Sequence, residues 1–276
     1  MTPDFITQYH PLTARPFRRN KTYEEHIPCK QLRPYVACFW SSEGIEKSGA
    51  DGLIRVIPDT CMDIIIEINY TKQSIKSRLC GIQDDTVMLE QGKEKEETVR
   101  FAVRFYFWAV RRFLNLDMSD LYNQTIDLDL LMPGCNVAFE ELFYCRSFED
   151  RITWMESYLL GIFNSEGYNP NLFNSIEYLL QSKGRAMVRD ICGYSAVSQR
   201  QMQRLFNQEF GLSIKRTASL VRYQNVWREV ILQEHFNIQK AVDRYGYTDQ
   251  AHLLNDFKRF HGLYPSQAKQ EALERR

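Results

Sequence analysis

The sequence predicts an α+β protein, with a β-rich N-terminal domain over residues 1–165 and an all-α domain over residues 166–276. Three observations support this prediction. Apolar residues alternate with period two in the first half, they recur at helical spacing in the second half, and two segments of the second half repeat one pattern 51 residues apart. A chain of 276 residues exceeds one typical domain, so two hydrophobic cores are expected.

Several stretches of the first half have the pattern of β-strands. Between residues 98 and 108 the odd positions are apolar, while Arg100 and Arg104 face the opposite side. The stretches MDIIIEI (62 to 68) and TVMLE (86 to 90) predict further strands, and the polar stretches KSGADG and QGKEKEE predict loops. After residue 140 the spacing becomes helical, and the apolar side of this helix is formed by Ile152, Met155, Tyr158, Leu159 and Ile162.

The segment SQRQMQRLFNQEFG, residues 198 to 211, predicts a helix with a narrow apolar stripe and a polar face. At about 100° per residue the stripe consists of Met202, Leu205 and Phe206. The opposite side carries Arg200, Gln203, Arg204 and Asn207. Ser198 and Gln201 have the spacing of a capping box, and Gly211 is suited to a left-handed C-cap. Solvated surface helices also have polar faces, so this segment alone leaves its role open.

The same pattern recurs 51 residues further along the chain. The corresponding pairs are Ser198 and Asp249, Met202 and Leu253, Phe206 and Phe257, and Gly211 and Gly262. Short helical patterns precede both copies, with Val188, Ile191 and Cys192 before the first and Ile238, Ala241, Val242 and Tyr245 before the second. A short helix, a tight turn and a helix with a polar face form the order of a helix-turn-helix unit.

A long helix over roughly residues 215–233 is predicted to join the two units. Its apolar positions alternate with charged ones, and they include Leu220, Val226, Val230 and Ile231. Such a helix packs against both units and fixes their separation. The all-α domain is therefore predicted to contain two helix-turn-helix units joined by a long helix.

Residues in both units match the motifs of one known family. The second unit contributes Ile238, Ala241-Val242, Gly246-Tyr247, Phe257-Lys258-Arg259, Gly262 and Pro265. The first unit contributes Ile191-Cys192, Ser198, Arg204, Leu205-Phe206 and Gly211. On these residues the stretch from 170 to 270 resembles the DNA-binding domain of the AraC/XylS transcription regulators. The chain departs from that pattern at Ala196, which replaces the turn glycine, at Cys192 and Val242, which replace alanines, and at Asn255, where a basic residue is common.

The resemblance implies a sequence-specific transcription regulator whose partner is double-stranded DNA. Two rigidly held recognition helices would enter successive major grooves about 34 Å apart and cover roughly 20 base pairs. The motif places at the DNA Ser198, Gln199, Arg200, Gln203, Arg204 and Asn207 in the first unit, and Asp249, Gln250, Ala251, His252, Asn255, Lys258 and Arg259 in the second. Since Arg pairs with guanine and Gln with adenine, Arg200, Gln203 and Arg204 are expected at base edges or adjacent phosphates. The alternative for Arg204 is a contact that braces the fold.

Four pieces of the first half match a second pattern, and they are LRPYVACFW (32 to 40), IPDT (57 to 60), VRFYFWA (103 to 109) and TIDLDLL (125 to 131). With these pieces the first half resembles a β-rich N-terminal domain that some AraC-type regulators carry. Thr60 stands where a glycine is more usual, and Phe107 stands where a proline is expected. The aromatic residues Trp40, Tyr106 and Trp108 either line a pocket or pack in the core or an interface.

Charge is divided unevenly along the chain, although the formal net charge is zero. From Lys183 onward there are 16 Lys and Arg against 9 Asp and Glu, or +7, so the preceding part has 19 against 26, or −7. The basic part can attract a phosphate backbone, and the acidic part is expected to stay off it. Residues 1 to about 165 are therefore predicted to control DNA binding without touching DNA, through a small-molecule effector, a homodimer, or both. The alternative is a constitutive domain that only solubilises or dimerises the protein.

Neither a cofactor nor a membrane segment is indicated. Seven cysteines form no C-x-x-C pair and five histidines have no zinc spacing, so buried thiols without a metal or cofactor are expected, with redox or metal sensing as the alternative. No signal peptide opens the chain, and the apolar stretch FAVRFYFWAV contains Arg104 and is too short to span a bilayer. A cytoplasmic protein is expected.

Local enzyme signatures are missing from the sequence. It contains no G-x-S-x-G, P-loop, G-x-G-x-x-G or H-E-x-x-H motif, so the chain is not expected to be an enzyme. The competing hypothesis, motivated by Asn255 and Asp256, is a protein-interaction or structural module with degenerate helix-turn-helix units that no longer bind DNA. The operator, the direction of regulation, any contact with RNA polymerase, the effector and the oligomeric state are left open.

Overall fold

The computed structural model describes residues 5–17, 23–43, 53–90, 96–164 and 169–273. Strands fill the first half of this part of the chain and helices fill the second, which confirms the predicted α+β class. The loop predicted from KSGADG lies outside the described residues, as do the first five residues of the loop predicted from QGKEKEE.

The strands are β1 (Tyr23–His26), β2 (Val36–Glu43), β3 (Leu53–Val56), β4 (Cys61–Asn69), β5 (Ser74–Cys80), β6 (Val87–Glu90), β7 (Thr98–Tyr106) and β8 (Thr125–Asp127). Six of them form an antiparallel sheet in the order β1-β2-β7-β4-β5-β8. The remaining two, β3 and β6, pair with each other as a separate antiparallel ribbon. The strands predicted at 62 to 68 and 86 to 90 are therefore confirmed, although the second belongs to this ribbon.

The period-two pattern of β7 separates a buried face from a polar one. Phe101, Val103 and Phe105 are fully buried. On the other face Arg104 donates to both carboxylate oxygens of Asp63, at 3.0 and 3.1 Å. Asp59 lies 3.5 Å from the same guanidinium group. Arg104 therefore ties β7 to its neighbour β4 and to the turn that precedes β4.

The strand predicted to reach residue 108 ends earlier, at Tyr106. The amide of Ala109 donates to the Tyr106 carbonyl at 2.9 Å, which turns the chain out of the sheet. The indole N–H of Trp108 donates to the carbonyl of Pro34 at 2.9 Å, and its ring stacks on Tyr106 with centroids 4.6 Å apart. These aromatic rings pack in the core, which explains the early end of the strand.

The helices are α1 (Leu128–Leu131), α2 (Cys135–Ala138), α3 (Phe148–Ile162), α4 (Pro170–Gln181), α5 (Val188–Tyr194), α6 (Gln199–Phe210), α7 (Ile214–Leu232), α8 (Ile238–Tyr245), α9 (Gln250–His261) and α10 (Pro265–Leu273). Within the described ranges, α-helical structure thus begins at Leu128, before the position expected from the sequence, because two single-turn helices precede α3. The apolar side predicted for α3 is confirmed by the burial of Ile152, Met155 and Leu159.

Helix α7 is the predicted long connection, with 19 residues. It packs against α6 and α8 to α10, and its buried residues include Leu220, Val226, Val230 and Ile231. Within the described ranges, no helix has the combined length and apolar character needed to cross a membrane.

Helix α7 also contacts the N-terminal part of the chain. The buried Gln224 amide donates to the carbonyl of Pro58 at 2.6 Å and to that of Leu12 at 3.1 Å, and it accepts from the Leu12 amide at 2.7 Å. The indole N–H of Trp227 donates to the carbonyl of Thr13 at 3.0 Å. The helix that joins the two predicted units is therefore held by the first half of the protein.

Candidate nucleic-acid interface

The first helix-turn-helix unit consists of α5, a turn and α6. The hydroxyl of Ser198 accepts a hydrogen bond from the Gln201 backbone amide at 3.3 Å, so Ser198 is the N-cap of α6 as predicted. The return bond from the Gln201 side chain to the Ser198 amide is not formed, so the full capping box was wrong. Met202 and Phe206 are fully buried, and Gly211 ends the helix at a φ of 71°. The apolar stripe thus fixes α6 on the core and leaves its polar face outside.

The second unit repeats this arrangement with α8 and α9. Asp249 caps α9 by accepting from the His252 amide at 2.7 Å. Leu253 and Phe257 are buried, and Gly262 ends the helix at a φ of 79°. The predicted correspondence of caps and core positions between the two units is confirmed.

The turns of the two units differ at the residue that adopts a left-handed conformation. In the second unit this residue is Gly246, with a φ of 68°. In the first unit it is Ala196, with a φ of 52°. A side chain with a Cβ atom strains this conformation, whereas glycine adopts it freely. Ala196 therefore occupies a position that favours glycine, as its place in the motif suggested.

All thirteen residues predicted to contact DNA are exposed, and they are Ser198, Gln199, Arg200, Gln203, Arg204, Asn207, Asp249, Gln250, Ala251, His252, Asn255, Lys258 and Arg259. Among the described residues, the side chains of Arg200, Gln203 and Arg204 have no hydrogen-bond or ion-pair partner. Arg204 therefore makes no bracing contact within that part of the chain. Contact of these side chains with DNA remains a prediction.

The polar face of the second recognition helix is more strongly engaged within the protein. The side-chain amide of Gln250 donates to the side-chain oxygen of Gln239 at 2.9 Å. The Nδ1 atom of His252 lies 3.1 Å from a threonine hydroxyl in the preceding turn. The ammonium group of Lys258 lies 4.7 Å from the ring centroid of Tyr264. These contacts distinguish α9 from the open face of α6.

Asp256 lies on α9, where an unpaired negative charge would repel a phosphate backbone. Its carboxylate lies 3.7 Å from the guanidinium of Arg222 and accepts from the hydroxyl of Tyr247 at 3.1 Å. Burial raises the pKa of Tyr247, with Asp256 adding to the shift, so this hydroxyl keeps its proton. Arg222 also lies over the Tyr247 ring at 4.5 Å. The negative charge of Asp256 is thus compensated by Arg222 of α7 and by Tyr247 of the turn between α8 and α9.

Arg259 is directed toward the first half of the protein. Its guanidinium lies 3.6 Å from the carboxylate of Asp84, a fully buried residue of the N-terminal part. Arg216, near the start of α7, contacts the same carboxylate. Sequence patterns did not identify Asp84 or Arg216, because this contact joins residues that are far apart in the chain and have no shared motif.

Two concave features adjoin the helix-turn-helix units. A surface groove of about 540 Å³ is lined by Phe236, Ile238, Leu254 and Tyr264. A smaller cleft of about 130 Å³ lies between the two halves, with Trp108, Arg111, Phe173 and Glu209 in its walls. In the described ranges, no group of three or more His, Cys, Asp or Glu side chains could hold a metal ion.

Two family models match the chain. One, described as a helix-turn-helix domain, matches residues 191–271, which span both units and the connecting helix α7. The C-terminal part of the chain is an AraC-type helix-turn-helix domain. The chain is accordingly a DNA-binding transcription regulator.

The other model, described as a domain of unknown function (DUF6597), matches residues 24–127 of the β-rich part. No curated protein sequence matches the chain.

Solved structures of two other proteins are similar to this chain. ToxT from Vibrio cholerae is 12% identical, with 90% of this chain and 97% of that chain covered and a TM-score of 0.42. The C-terminal domain of AraT, a response regulator from Geobacillus stearothermophilus, is 21% identical, with 37% and 86% covered and a TM-score of 0.35.

Proposed function

We propose that this regulator binds DNA sequence-specifically by inserting α6 and α9 into successive major grooves. The observation that carries the proposal is the duplicated geometry: two capped helices expose polar faces, and both pack on the one long helix α7. A rigid connection of this kind suits two grooves about 34 Å apart, so the expected site covers roughly 20 base pairs.

The first unit is proposed to read more bases than the second. Arg200, Gln203 and Arg204 are exposed and unengaged among the described residues, so they are available for bidentate contacts with base edges. On α9, Ala251 has no polar side-chain atom and Asn255 is uncharged. The second unit is therefore expected to contribute mainly position, through contacts with the backbone.

The N-terminal half is proposed to control binding rather than to contact DNA. The part of the chain before Lys183, which includes this half, has a formal charge of −7, and this charge opposes a phosphate backbone. The N-terminal half also holds α7 through the hydrogen bonds of Gln224 and Trp227, so a change in this half can reach both units. An effector or a second copy of the chain would act by binding two states of the regulator with different affinity.

One of the two residues that suggested the competing hypothesis, an interaction module that no longer binds DNA, does not support it. Asp256 is compensated by Arg222 and by the Tyr247 hydroxyl, so it does not present an unpaired negative charge to a phosphate. Asn255 alone does not prevent binding, since an uncharged amide can donate to phosphate oxygen or adenine.

The test is selection of bound fragments from random double-stranded DNA with the full chain. Enrichment of one sequence with two half-sites supports the proposal. Equal recovery of all sequences, with retention only at low salt, would indicate non-specific electrostatic binding and contradict it. The variant Gln203→Ala should change the enriched sequence, whereas Gln233→Ala, an exposed position at the end of α7, should not.

A further inference from the structure

The first half of the protein contacts both recognition helices at the same place, their C-terminal ends. At the end of α6, the amide of Met118 donates to the carbonyl of Gln208 at 3.0 Å. A Cβ atom on Gly211 would lie 2.5 Å from the Met118 carbonyl oxygen. The glycine that ends α6 is therefore required twice, by its positive φ and by this close approach.

The C-terminal end of α9 is held in the same way, by β3 of the β3–β6 ribbon and by the loop that precedes β6. Thr86 donates its hydroxyl proton to the carbonyl of Phe260 at 2.6 Å, and Arg55 donates to the carbonyl of His261 at 3.4 Å. A cation beside the last carbonyls of a helix is electrostatically favourable. A Cβ atom on Gly262 would lie 2.7 Å from the guanidinium of Arg55.

Asp84 is the charged centre of this second contact. It is fully buried, and Asn123 donates to one of its carboxylate oxygens at 2.7 Å. The other oxygen faces the guanidinium groups of Arg216 and Arg259. A carboxylate is an oxyanion, and it holds Arg259 with the same interaction that a DNA phosphate would use.

The two arginines are held differently. Arg216 is two-thirds buried and also donates to the hydroxyl of Tyr122 at 2.9 Å, so it stays in place. Arg259 is 44% exposed and lies 3.6 Å from the carboxylate, a longer contact at the edge of the site. Release of Arg259 would leave Asp84 paired with Arg216, which avoids the cost of an unpaired buried charge.

We propose that Asp84 is an intramolecular latch that competes with DNA phosphate for Arg259 and thereby restrains the second recognition helix. The inference rests on the proposed function and adds a regulatory contact to it. In the latched state Arg259 is unavailable to the backbone, and α9 is fixed against the first half of the protein. Release of the latch supplies one further phosphate contact and frees the end of α9 to settle in its groove.

The test compares Asp84→Asn with Asp85→Asn in the full chain, on the DNA sequence enriched by selection. Asp85 is the exposed neighbour of Asp84, so both variants lose one negative charge and differ in contact with Arg259. Asp84→Asn should bind about tenfold more tightly than the wild type. Its affinity should also depend more steeply on salt, by about 0.9 in the logarithmic slope, because one more phosphate is neutralised. Asp85→Asn should match the wild type.

The same measurement is repeated with Arg259→Gln. The latch predicts that the gain from Asp84→Asn disappears in the double variant, which lacks the arginine that the latch would release. A gain that persists without Arg259, equal affinities for the two aspartate variants, or weaker binding by a folded Asp84→Asn protein would each overturn the latch.

Thr86→Val keeps the latch testable if Asp84→Asn does not fold by circular dichroism. This isosteric change removes the hydrogen bond to the Phe260 carbonyl, next to Arg259, and so loosens the end of α9 on which the contact between Asp84 and Arg259 depends. A gain in affinity that requires Arg259 supports the latch, and unchanged affinity contradicts it. If the wild type prefers no DNA sequence, both the proposed function and the latch are contradicted. If the wild type is selective but the variants bind DNA with unchanged affinity, only the latch is contradicted.

Discussion

The hydroxyl of Tyr223 lies 2.9 Å from Nδ1 of His261, in the core that joins α7 to α9. Both side chains are fully buried, with at most 1% of their surface exposed to solvent. Burial lowers the pKa of His261 to about 3, and the positive charge of Arg55 contributes to the shift. The end of the second recognition helix is therefore held by a histidine that stays neutral in the folded protein.

This histidine makes the stability of the regulator depend on pH. A histidine in an unfolded chain has a pKa of about 6.5, so between pH 6.5 and 3 the unfolded state binds a proton that the folded state does not. The free energy of unfolding should therefore fall as the pH decreases through this window, by up to about 1.4 kcal/mol per pH unit from this residue.

Urea denaturation at several pH values between 7.5 and 5 measures this contribution. The variant His261→Gln should have a flatter dependence than the wild type. His235→Gln serves as the matched control, because it removes a histidine whose side chain is exposed. Equal slopes for the wild type and His261→Gln would show that His261 is not the group responsible.

Replacement of Ala196 by glycine should increase the stability of the protein. At a φ of 52° the Cβ atom of Ala196 strains the turn between α5 and α6. The relief of about 1–2 kcal/mol is partly offset by the greater entropy of an unfolded glycine, so Ala196→Gly should stabilise the protein by about 0.5–1 kcal/mol. The opposite change, Gly246→Ala, should destabilise it, since that position has a φ of 68°. Thermal unfolding of both variants decides the sign, and a less stable Ala196→Gly protein would contradict the strain argument.

Gln203 should carry sequence information. Removal of a bidentate contact with a base costs about 1–3 kcal/mol on the preferred site and relaxes specificity at that position. Affinities of Gln203→Ala for the selected site and for its single-base variants measure both effects. A folded variant with unchanged affinity and unchanged site preference would contradict this role.

The two half-sites should be unequal. Substitution of single base pairs should weaken binding more often in the half bound by α6 than in the half bound by α9, because Ala251 and Asn255 offer few base contacts. Competition binding with a complete set of single-base variants measures this. A second half-site that is the more stringent one would show that the asymmetry has been assigned to the wrong unit.

The fragment 166–276 should retain site preference but bind more weakly or without regulation. Its separation exposes Gln224 and Trp227, whose side chains otherwise bond to the N-terminal part, so it should also be less stable than the full chain. Selection with this fragment should return the same sequence. A folded fragment that has lost all preference would show that the first half contributes directly to recognition.

Local features of the sequence predicted the helix-turn-helix units well. Caps such as Ser198 and Asp249 act within one turn, and apolar spacing acts within one helix, so both are visible in a single segment. The left-handed position at Ala196 and the one at Thr60, with a φ of 61°, were likewise marked by the expectation of glycine.

Contacts between distant segments could not be predicted in this way. Arg259 lies near Asp84 only after both halves have folded, and no spacing rule connects the two positions. The same holds for Arg222, whose contact with Asp256 compensates a charge that looked unfavourable in the sequence. Pairing of β3 with β6 in a separate ribbon is also a tertiary choice, since both have ordinary strand patterns.

Hydroxyl-radical footprinting of the full chain on its selected site tests the central claim most directly. Two recognition helices held by one long helix predict two protected blocks on the same face of the duplex, about 10 base pairs apart, within a total of roughly 20 base pairs. A single protected block, or two blocks on opposite faces, would contradict the insertion of α6 and α9 into successive major grooves.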